Sequence, residues 1–253
     1  MAPVEDELVE AVLASTLLHA DETPWPEHDQ TLWLWVFRSL TVTLYYVAGR
    51  GKELLENVLD GFGGWLMSDG WGAYRHYPHR LRCWAHLIRK ARGLAQSCDR
   101  EARVFGRLVL ETLEVLMAAV YAAREGPPPM DLSTRYAPVV TALHATCERH
   151  QGSAHAKTHA LAVELLNDWE AIFQILSHPG LPLTNNDAER ALRHWVILRK
   201  LSLGTRTPVG SRVFALLASV IDTCRQRGHA PWRYLERAIA DRRAGWPLAP
   251  LPQ

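Results

Sequence analysis

The sequence lacks the features that mark secreted and membrane proteins. Its four cysteines, Cys83, Cys98, Cys147 and Cys224, are scattered and do not indicate a disulfide framework. No apolar run approaches the roughly 20 residues that are needed to cross a bilayer. The first residues, MAPVEDELVE, are acidic where a secretory signal would be basic and then apolar. We therefore expect a cytoplasmic protein with reduced thiols and no membrane partner.

Three segments each lack charges of one sign, although the net charge is only +1. Residues 1–37 contain eight acidic residues and no lysine or arginine. Residues 70–97 and 190–212 each contain six basic residues and no acid. Two basic blocks that are far apart in sequence can form one surface that attracts phosphates. From charge alone, two separate solvated faces are an equally good interpretation.

The first hundred residues have the patterns of strands and short helices. Residues 4–17 and 52–59 show the apolar spacing of amphipathic helices. Short apolar and aromatic runs, several rich in β-branched residues, predict strands. These runs are 17–20, 31–40, 41–48, 64–71 and 81–88, and the last of them is a strand that passes into a helix. The second and third of them follow each other closely, which favours a hairpin or meander.

Beyond residue 99 the apolar period becomes helical. Helices are predicted at 100–124, about 136–177, 185–200, 210–227 and 231–243, with Gly126–Pro129 as a connector. Strands followed by helices favour one α/β core with a helical insertion over two independent domains, because no flexible linker separates the parts. The predicted organisation is an N-terminal helix (1–17), a first part of the core (18–99), the helical insertion (100–180), a second part of the core (181–228), and a C-terminal helix with a proline-rich tail (229–253).

Two aspartates follow apolar runs. In LLHADETPWP, residues 17–26, an extended chain puts Asp21 on the same face as His19, so it is a better candidate than Glu22 for a site shared with a neighbouring strand. Asp69 has the same setting in GWLMSDGW, residues 64–71. An aspartate at the end of an apolar strand is costly to bury without a partner, water or a metal. The alternative for Asp69 is an aspartate that opens a turn, which describes most Asp-Gly pairs.

A third acid lies on the predicted helix LTNNDAERALRHWVILRK, residues 183–200. Glu189 projects beside the apolar stripe of this helix, and the alternative is a surface pair with Arg193 at i,i+4. Mg²⁺ and Mn²⁺ prefer oxygen ligands, and a two-metal centre needs several converging carboxylates. Asp21, Asp69 and Glu189 together would supply such a set.

The motifs HADET, SDGW, CWAH and TNNDAERALR, in this order and with a helical block before the last, closely resemble the transposase domain of the insertion-sequence 66 family. The likeness runs from about Leu8 to Leu235. It implies an α/β, ribonuclease H-like fold: a mixed five-stranded sheet flanked by helices, with a helical insertion between the second aspartate and the glutamate. It also implies that Asp21, Asp69 and Glu189 are the catalytic triad and bind Mg²⁺ or Mn²⁺.

The implied activity is metal-dependent cleavage of DNA that frees a 3′-OH, followed by attack of that 3′-OH on target DNA. The implied partners are transposon ends and target DNA at the bacterial nucleoid, a second copy of the chain that pairs two ends, and accessory proteins of the same mobile element. A ribonuclease H-like nuclease without strand transfer and a catalytically inactive DNA-binding relic are the alternatives. Family members usually carry a further N-terminal DNA-recognition region, so a fragment, a decayed copy and a partner-dependent protein are all compatible with this sequence.

Further residues take roles from the resemblance. Asn185 and Asn186, one turn before Glu189, are candidates to orient it or contact DNA, with helix capping as an equal alternative. Cys83 and His86 form a C-x₂-H pair similar to one in several transposase families. A zinc site ordinarily needs four ligands, so a buried cysteine and a histidine facing the site or DNA are favoured. The candidate phosphate-binding residues are Arg89, Lys90, Arg190, Arg193, Arg199 and Lys200.

Overall fold

The computed structural model of the chain describes residues 2–126 and 131–253, and Pro127–Pro129 of the predicted connector lie outside this part. The strands are β1 (Leu17–Glu27), β2 (Gln30–Arg38), β3 (Thr43–Ala48), β4 (Trp65–Ser68) and β5 (Arg80–Arg82). The α-helices are α1 (Ala2–Leu13), α2 (Lys52–Val58), α3 (Trp84–Ala95), α4 (Arg100–Glu125), α5 (Leu132–His150), α6 (Ala156–Asn167), α7 (Trp169–Phe173), α8 (Asn186–Ser202), α9 (Pro208–Gln226) and α10 (Pro231–Arg243). None of these helices is both long and apolar enough to span a bilayer.

The strands form a mixed five-stranded sheet in the order β3-β2-β1-β4-β5. This confirms the predicted α/β class and the expectation that the strand before Asp69 lies beside the strand of Asp21. The chain divides into a first unit, Met1–Leu66 with Asn186–Gln253, and a second unit, Met67–Asn185. The division falls inside β4 and just before α8, whereas the prediction puts the limits of the helical insertion at residues 100 and 180.

The first unit is built on an antiparallel meander. β1 pairs with β2 and β2 with β3, and in this register Asp21 lies opposite Val36. Directly opposite residues of an antiparallel pair project to the same face. Val36 belongs to a buried cluster with Ala188 of α8, and the Trp25 ring of β1 stacks on Phe214 of α9 at 4.3 Å between centroids. Helices α8 and α9 therefore cover one face of the meander.

Strand β1 is longer than the sequence predicts. It has 11 residues and continues through Pro24 and Pro26, so the expectation that it ends at its acidic residues is wrong. The carbonyl of Pro26 accepts the N–H of Thr205 at 3.0 Å, which shows that this residue's backbone polar groups point away from β2. Pro24, two residues earlier, has the same orientation. Neither proline removes a hydrogen bond of the β1–β2 ladder, so Asp21 lies within the strand.

The second unit is largely helical. Its buried core contains residues of every helix from α3 to α7. The indole N–H of Trp84 donates to the carbonyl of Ile172 at 3.1 Å. The single helix predicted at about 136–177 is in fact α5, α6 and α7. Breaks at Gln151–His155 and Asp168 separate them, because the chain must turn back for each apolar face to reach the same core. The helix predicted at 4–17 ends at Leu13, and Leu17 already belongs to β1.

Gly204, in the connection between α8 and α9, provides a test of the packing against β1. Its φ is +85°, and a Cβ atom there would lie 2.1 Å from the carbonyl oxygen of Pro26. We expect Gly204→Ala to lower the free energy of unfolding by about 2 kcal/mol or more, from backbone strain and a steric clash. Urea denaturation measures this change. Gly49→Ala is the matched control, since no atom lies within 4 Å of a Cβ there, and an equal loss in both variants would contradict the prediction.

Candidate active site

Asp21 lies on the face of β1 that is covered by α8. Its neighbours on this face contact the two ends of the helix: His19 Nε2 is 3.8 Å from Asp187 Oδ2, and Thr23 Oγ1 accepts a hydrogen bond from Arg199 at 3.1 Å. The Asp21 carboxylate itself accepts the N–H of the next residue at 2.9 Å. Helix α8 thus runs along the strand with Asp21 between its two contacts.

Glu189 is in the first turn of α8. The buried residues Ala188 and Leu192 turn one side of this turn to the sheet, and Glu189 lies on the flank of that apolar stripe. Both Glu189 and Asp21 are partly exposed. The first unit therefore presents two of the three predicted carboxylates on one side of its sheet, where solvent reaches them.

A buried carboxylate of α9 fixes α8 in place. Asp222 Oδ2 accepts hydrogen bonds from the Tyr45 hydroxyl of β3 at 2.7 Å and from the Trp195 indole of α8 at 3.0 Å. Burial alone would raise the pKa of Asp222, but the His194 imidazole, whose Nε2 lies 3.3 Å from Oδ2, and the hydrogen bond from Tyr45 outweigh burial and lower that pKa. No local motif of the sequence reveals the role of Asp222, because its partners lie on two other elements.

Asp69 belongs to the second unit and directly follows β4. Its Oδ1 accepts the N–H of Trp71 at 2.8 Å, which is the hydrogen bond of an aspartate that opens a turn. This contact does not exclude a metal ligand, because a carboxylate has two oxygens with several acceptor sites. Asp69 also lines a polar cavity of about 330 Å³. Its lining residues are Asp69, Gly70, Arg75, Arg82, His86, Lys90, Ala160, Val163, Glu164 and Asn167.

An ion network lies beside this cavity. Asp168, which is 1% exposed, receives Nε of Arg75 at 3.0 Å, Nη2 of Arg80 at 2.6 Å and Nε of Arg82 at 3.1 Å. Glu164 accepts a short hydrogen bond from Arg82 and one from Lys90 at 2.6 Å. Burial alone would raise the pKa of Asp168, but hydrogen bonds and charge from Arg80 and Arg75 hold that pKa below its ordinary value.

This network changes the interpretation of the first basic block. Arg80 and Arg82 are only 4% and 1% exposed, so they pair inside the second unit and do not belong to a phosphate-attracting surface. In the sequence both belong to a segment of basic residues that contains no acid. Their partner Asp168 lies more than 80 positions further along the chain, so no spacing pattern could reveal it.

The six candidate phosphate-binding residues fall into two groups. Arg89, Arg193 and Lys200 are exposed, and no ion pair of theirs occurs within residues 2–126 and 131–253. The other three have protein partners. Lys90 contacts Glu164 at 2.6 Å, Arg190 contacts Asp187 at 2.7 Å, and Arg199 donates to Thr23 and to the carbonyl of Pro24. DNA contact by any of the six stays a prediction.

The four residues predicted to support the site differ in their surroundings. Cys83 is fully buried, and its sulfur accepts the N–H of the buried Asn185 at 3.2 Å. His86 is partly exposed and lines the cavity beside Asp69. Asn186 is exposed at the first position of α8. The expectation of a buried cysteine is thereby confirmed, and the roles of the two asparagines stay predictions.

The first unit combines a carboxylate on a strand and a carboxylate on a helix, both partly exposed, with three arginines on α8. The comparison with protein families gives the class of protein. Residues 1–213 match the model described as "Transposase IS66 family", so the chain belongs to that family. Membership confirms the predicted resemblance.

Two similar proteins come from Sinorhizobium fredii (strain NBRC 101917 / NGR234). "Uncharacterized protein y4qI" is 26% identical over 274 aligned positions, which cover 96% of this chain and 51% of that protein. "Uncharacterized protein y4jO" is 25% identical over 229 positions, which cover 82% of this chain and 68% of that protein. The chain thus spans about half the length of the first of these relatives. No solved structure matches it.

Asp168→Asn tests the ion network through its pH dependence. Removing one partner of a buried ion pair costs about 3 kcal/mol, and here it leaves three arginines without their shared anion. A lowered folded-state pKa means that the stabilisation is present above the ordinary value of 3.8 and is lost as pH falls through the lowered pKa. We expect the wild type to exceed Asp168→Asn in free energy of unfolding at pH 7, and the difference to shrink below about pH 4.

Urea denaturation between pH 7 and pH 3 gives this difference, with the exposed Asp60→Asn as the matched control. A gap between wild type and Asp168→Asn that stays constant over the whole range would contradict the assignment.

Proposed function

We propose that this chain is the catalytic part of a DNA transposase in which Asp21, Asp69 and Glu189 act as one triad. The observation that carries the proposal is the strand order: β4, which ends one residue before Asp69, is the neighbour of β1, which contains Asp21. The position of Glu189 on the helix that covers β1 supports the same grouping. A ribonuclease H-like fold is part of the proposal, and the strand order is the one that this fold requires.

The proposed metal ions are Mg²⁺ or Mn²⁺. The three carboxylates offer only oxygen donors, which is the ligand chemistry that these hard cations prefer. When bound, such ions polarise a phosphodiester and stabilise the charge on its attacking and leaving oxygens. Asp21, Asp69 and Glu189 would hold them, which requires the carboxylates of both units to reach the same ions during the reaction.

The protein's own groups orient the ligands and the DNA. The N–H groups of Glu22 and Trp71 hold one oxygen each of Asp21 and Asp69, which restricts the rotation of both carboxylates. Helix α8 is fixed by its contacts to β1 and by Asp222, so the backbone of Glu189 is held firmly. Exposed basic residues on α3 and α8 would contact backbone phosphates, which give affinity without sequence information.

The reaction proposed is cleavage of a DNA strand by water and then attack of the freed 3′-OH on target DNA. No covalent protein intermediate is needed, so none of the four cysteines has to serve as a nucleophile. The chain spans 51% of protein y4qI, so the proposal extends to functions of a longer protein. These are the recognition of transposon ends, pairing of two copies as a homodimer, and binding of accessory proteins of the same element. The nucleoid is the proposed place of action.

The triad is tested by cleavage of a supercoiled plasmid with Mg²⁺ or Mn²⁺. We expect Asp21→Ala, Asp69→Ala and Glu189→Ala each to lower the cleavage rate by more than about 1,000-fold. The three carboxylates are proposed to act together, so loss of any one of them disables the reaction. Chelation by EDTA should abolish cleavage in the wild type. Transfer of a cut end to a second plasmid separates a transposase from a nuclease that cuts without joining.

Asp60→Ala and Glu236→Ala are matched controls, since both side chains are exposed and lie in the first unit. An active wild type with equally active triad variants would contradict the triad. A second measurement replaces Mg²⁺ by Fe²⁺ with ascorbate and peroxide, which cuts polypeptide next to bound iron. Cuts near residues 21, 69 and 189 are expected, and cuts confined to one unit would contradict a shared metal centre.

The phosphate contacts are tested by the salt dependence of DNA binding. Each lost phosphate contact should reduce the slope of log K against log salt by about 0.9 on duplex DNA. We expect Arg193→Ala and Lys200→Ala each to weaken binding and to reduce this slope by about one such increment. Fluorescence anisotropy with labelled duplex measures both quantities. Arg107→Ala, on an exposed face of α4, is the control, and an unchanged slope in both α8 variants would contradict the assignment.

A further inference from the structure

The guanidinium of Arg82 lies directly against the backbone that follows Asp69. A Cβ atom built on Gly70 would be 2.2 Å from Nη2 of Arg82 and 2.9 Å from Oε1 of Glu164. Only a residue without a side chain leaves room for this arrangement. A glycine after Asp69 is therefore needed for more than the turn. It lets the buried arginine pack against the segment that carries the candidate catalytic aspartate.

Helix α6 and the residue just after it hold this arginine in position. Glu164 accepts a short hydrogen bond from Nη2 of Arg82, and Asp168 accepts one from Nε at 3.1 Å. The same Asp168 binds Arg75, which lies on the short helical turn Gly72–His76 just after Asp69. Arg75, six residues after Asp69, is therefore bonded to one of the two carboxylates that hold Arg82.

Stability alone does not explain this construction. A buried ion network is often no more stabilising than apolar side chains of similar volume. Its distinctive property is direction, because a planar guanidinium bonded to two carboxylates fixes the position of what it touches. What Arg82 touches is Gly70, and the next N–H, that of Trp71, is the donor to the Asp69 carboxylate.

We infer that Arg82 and Glu164 are positioning residues for Asp69, through which the helical block holds this aspartate in the geometry that binds metal. The inference rests on the proposed role of Asp69 and goes beyond it, because it assigns a function to helix α6. Glu164 orients Arg82, Arg82 supports the backbone at Gly70, and that backbone presents the Trp71 N–H to Asp69. Loss of Glu164 loosens this chain of contacts without removing any metal ligand.

The test uses Glu164→Ala, Glu164→Gln and Gly70→Ala in the full chain. Glu164 is a better target than Arg82 because its side chain is 14% exposed. When Glu164 is removed, the buried Arg82 still has Asp168 as a partner. Glu170→Ala, an exposed residue of α7, is the matched control. Hydrogen exchange of the Trp71 amide reports the order of the Asp69 segment and does not depend on enzyme activity. The Mn²⁺ concentration for half-maximal plasmid cleavage reports metal binding.

We expect the Trp71 amide to exchange at least about tenfold faster in Glu164→Ala and Gly70→Ala, which is more than any loss of global stability measured by urea denaturation accounts for. The half-maximal Mn²⁺ concentration should rise by about 10- to 100-fold, and saturating Mn²⁺ should restore most of the cleavage rate. Glu164→Gln, which keeps an acceptor for Arg82, should lie near the wild type.

Unchanged exchange in both Glu164→Ala and Gly70→Ala would overturn the inference. Faster exchange with the wild-type Mn²⁺ requirement would overturn it too, because the segment would then be ordered for a reason unrelated to metal. A wild type that cuts no DNA would instead contradict the proposed function, and the exchange rates of the same samples would still decide whether α6 orders the Asp69 segment.

Discussion

The organisation of the second unit depends on the carboxylate of Asp168. A buried anion is tolerated only when it is paired and hydrogen-bonded, and three arginines meet that condition here. Through these bonds the anion joins three segments: the turn after Asp69, strand β5 and the end of α6. Apolar packing is non-directional, whereas hydrogen bonds between guanidinium and carboxylate groups fix orientation. The segment that carries Asp69 is thus held by directional contacts.

In the first unit, polar contacts likewise fix the position of a helix that apolar packing holds against the sheet. Its apolar cluster presses α8 onto the meander, but apolar contact alone permits sliding along the strand. Contacts at the two ends of the helix, from Asp187 to His19 and from Arg199 to Thr23, limit this sliding. Asp222 adds a third point through Trp195. Glu189 is therefore carried on a helix whose register against Asp21 is defined.

Family membership and the low net charge are compatible with each other. A protein that acts on DNA needs exposed cations at the path of the strand and does not need a large overall charge. In this chain several basic residues neutralise internal acids, and the exposed ones on α3 and α8 provide the local positive charge.

Local periodicity and residue type were enough to predict much of this protein. Alternating and aromatic runs predicted the strands, helical spacing predicted α8 to α10, and four short motifs in order predicted the family. Tertiary structure alone decided that β1 continues through Pro24 and Pro26. Only the pairing of β1 with β2 reveals at which positions the ladder needs a backbone N–H, which proline lacks. It also decided that Arg80 and Arg82 are buried on Asp168, because the energy of a charge depends on neighbours in space that sequence distance hides.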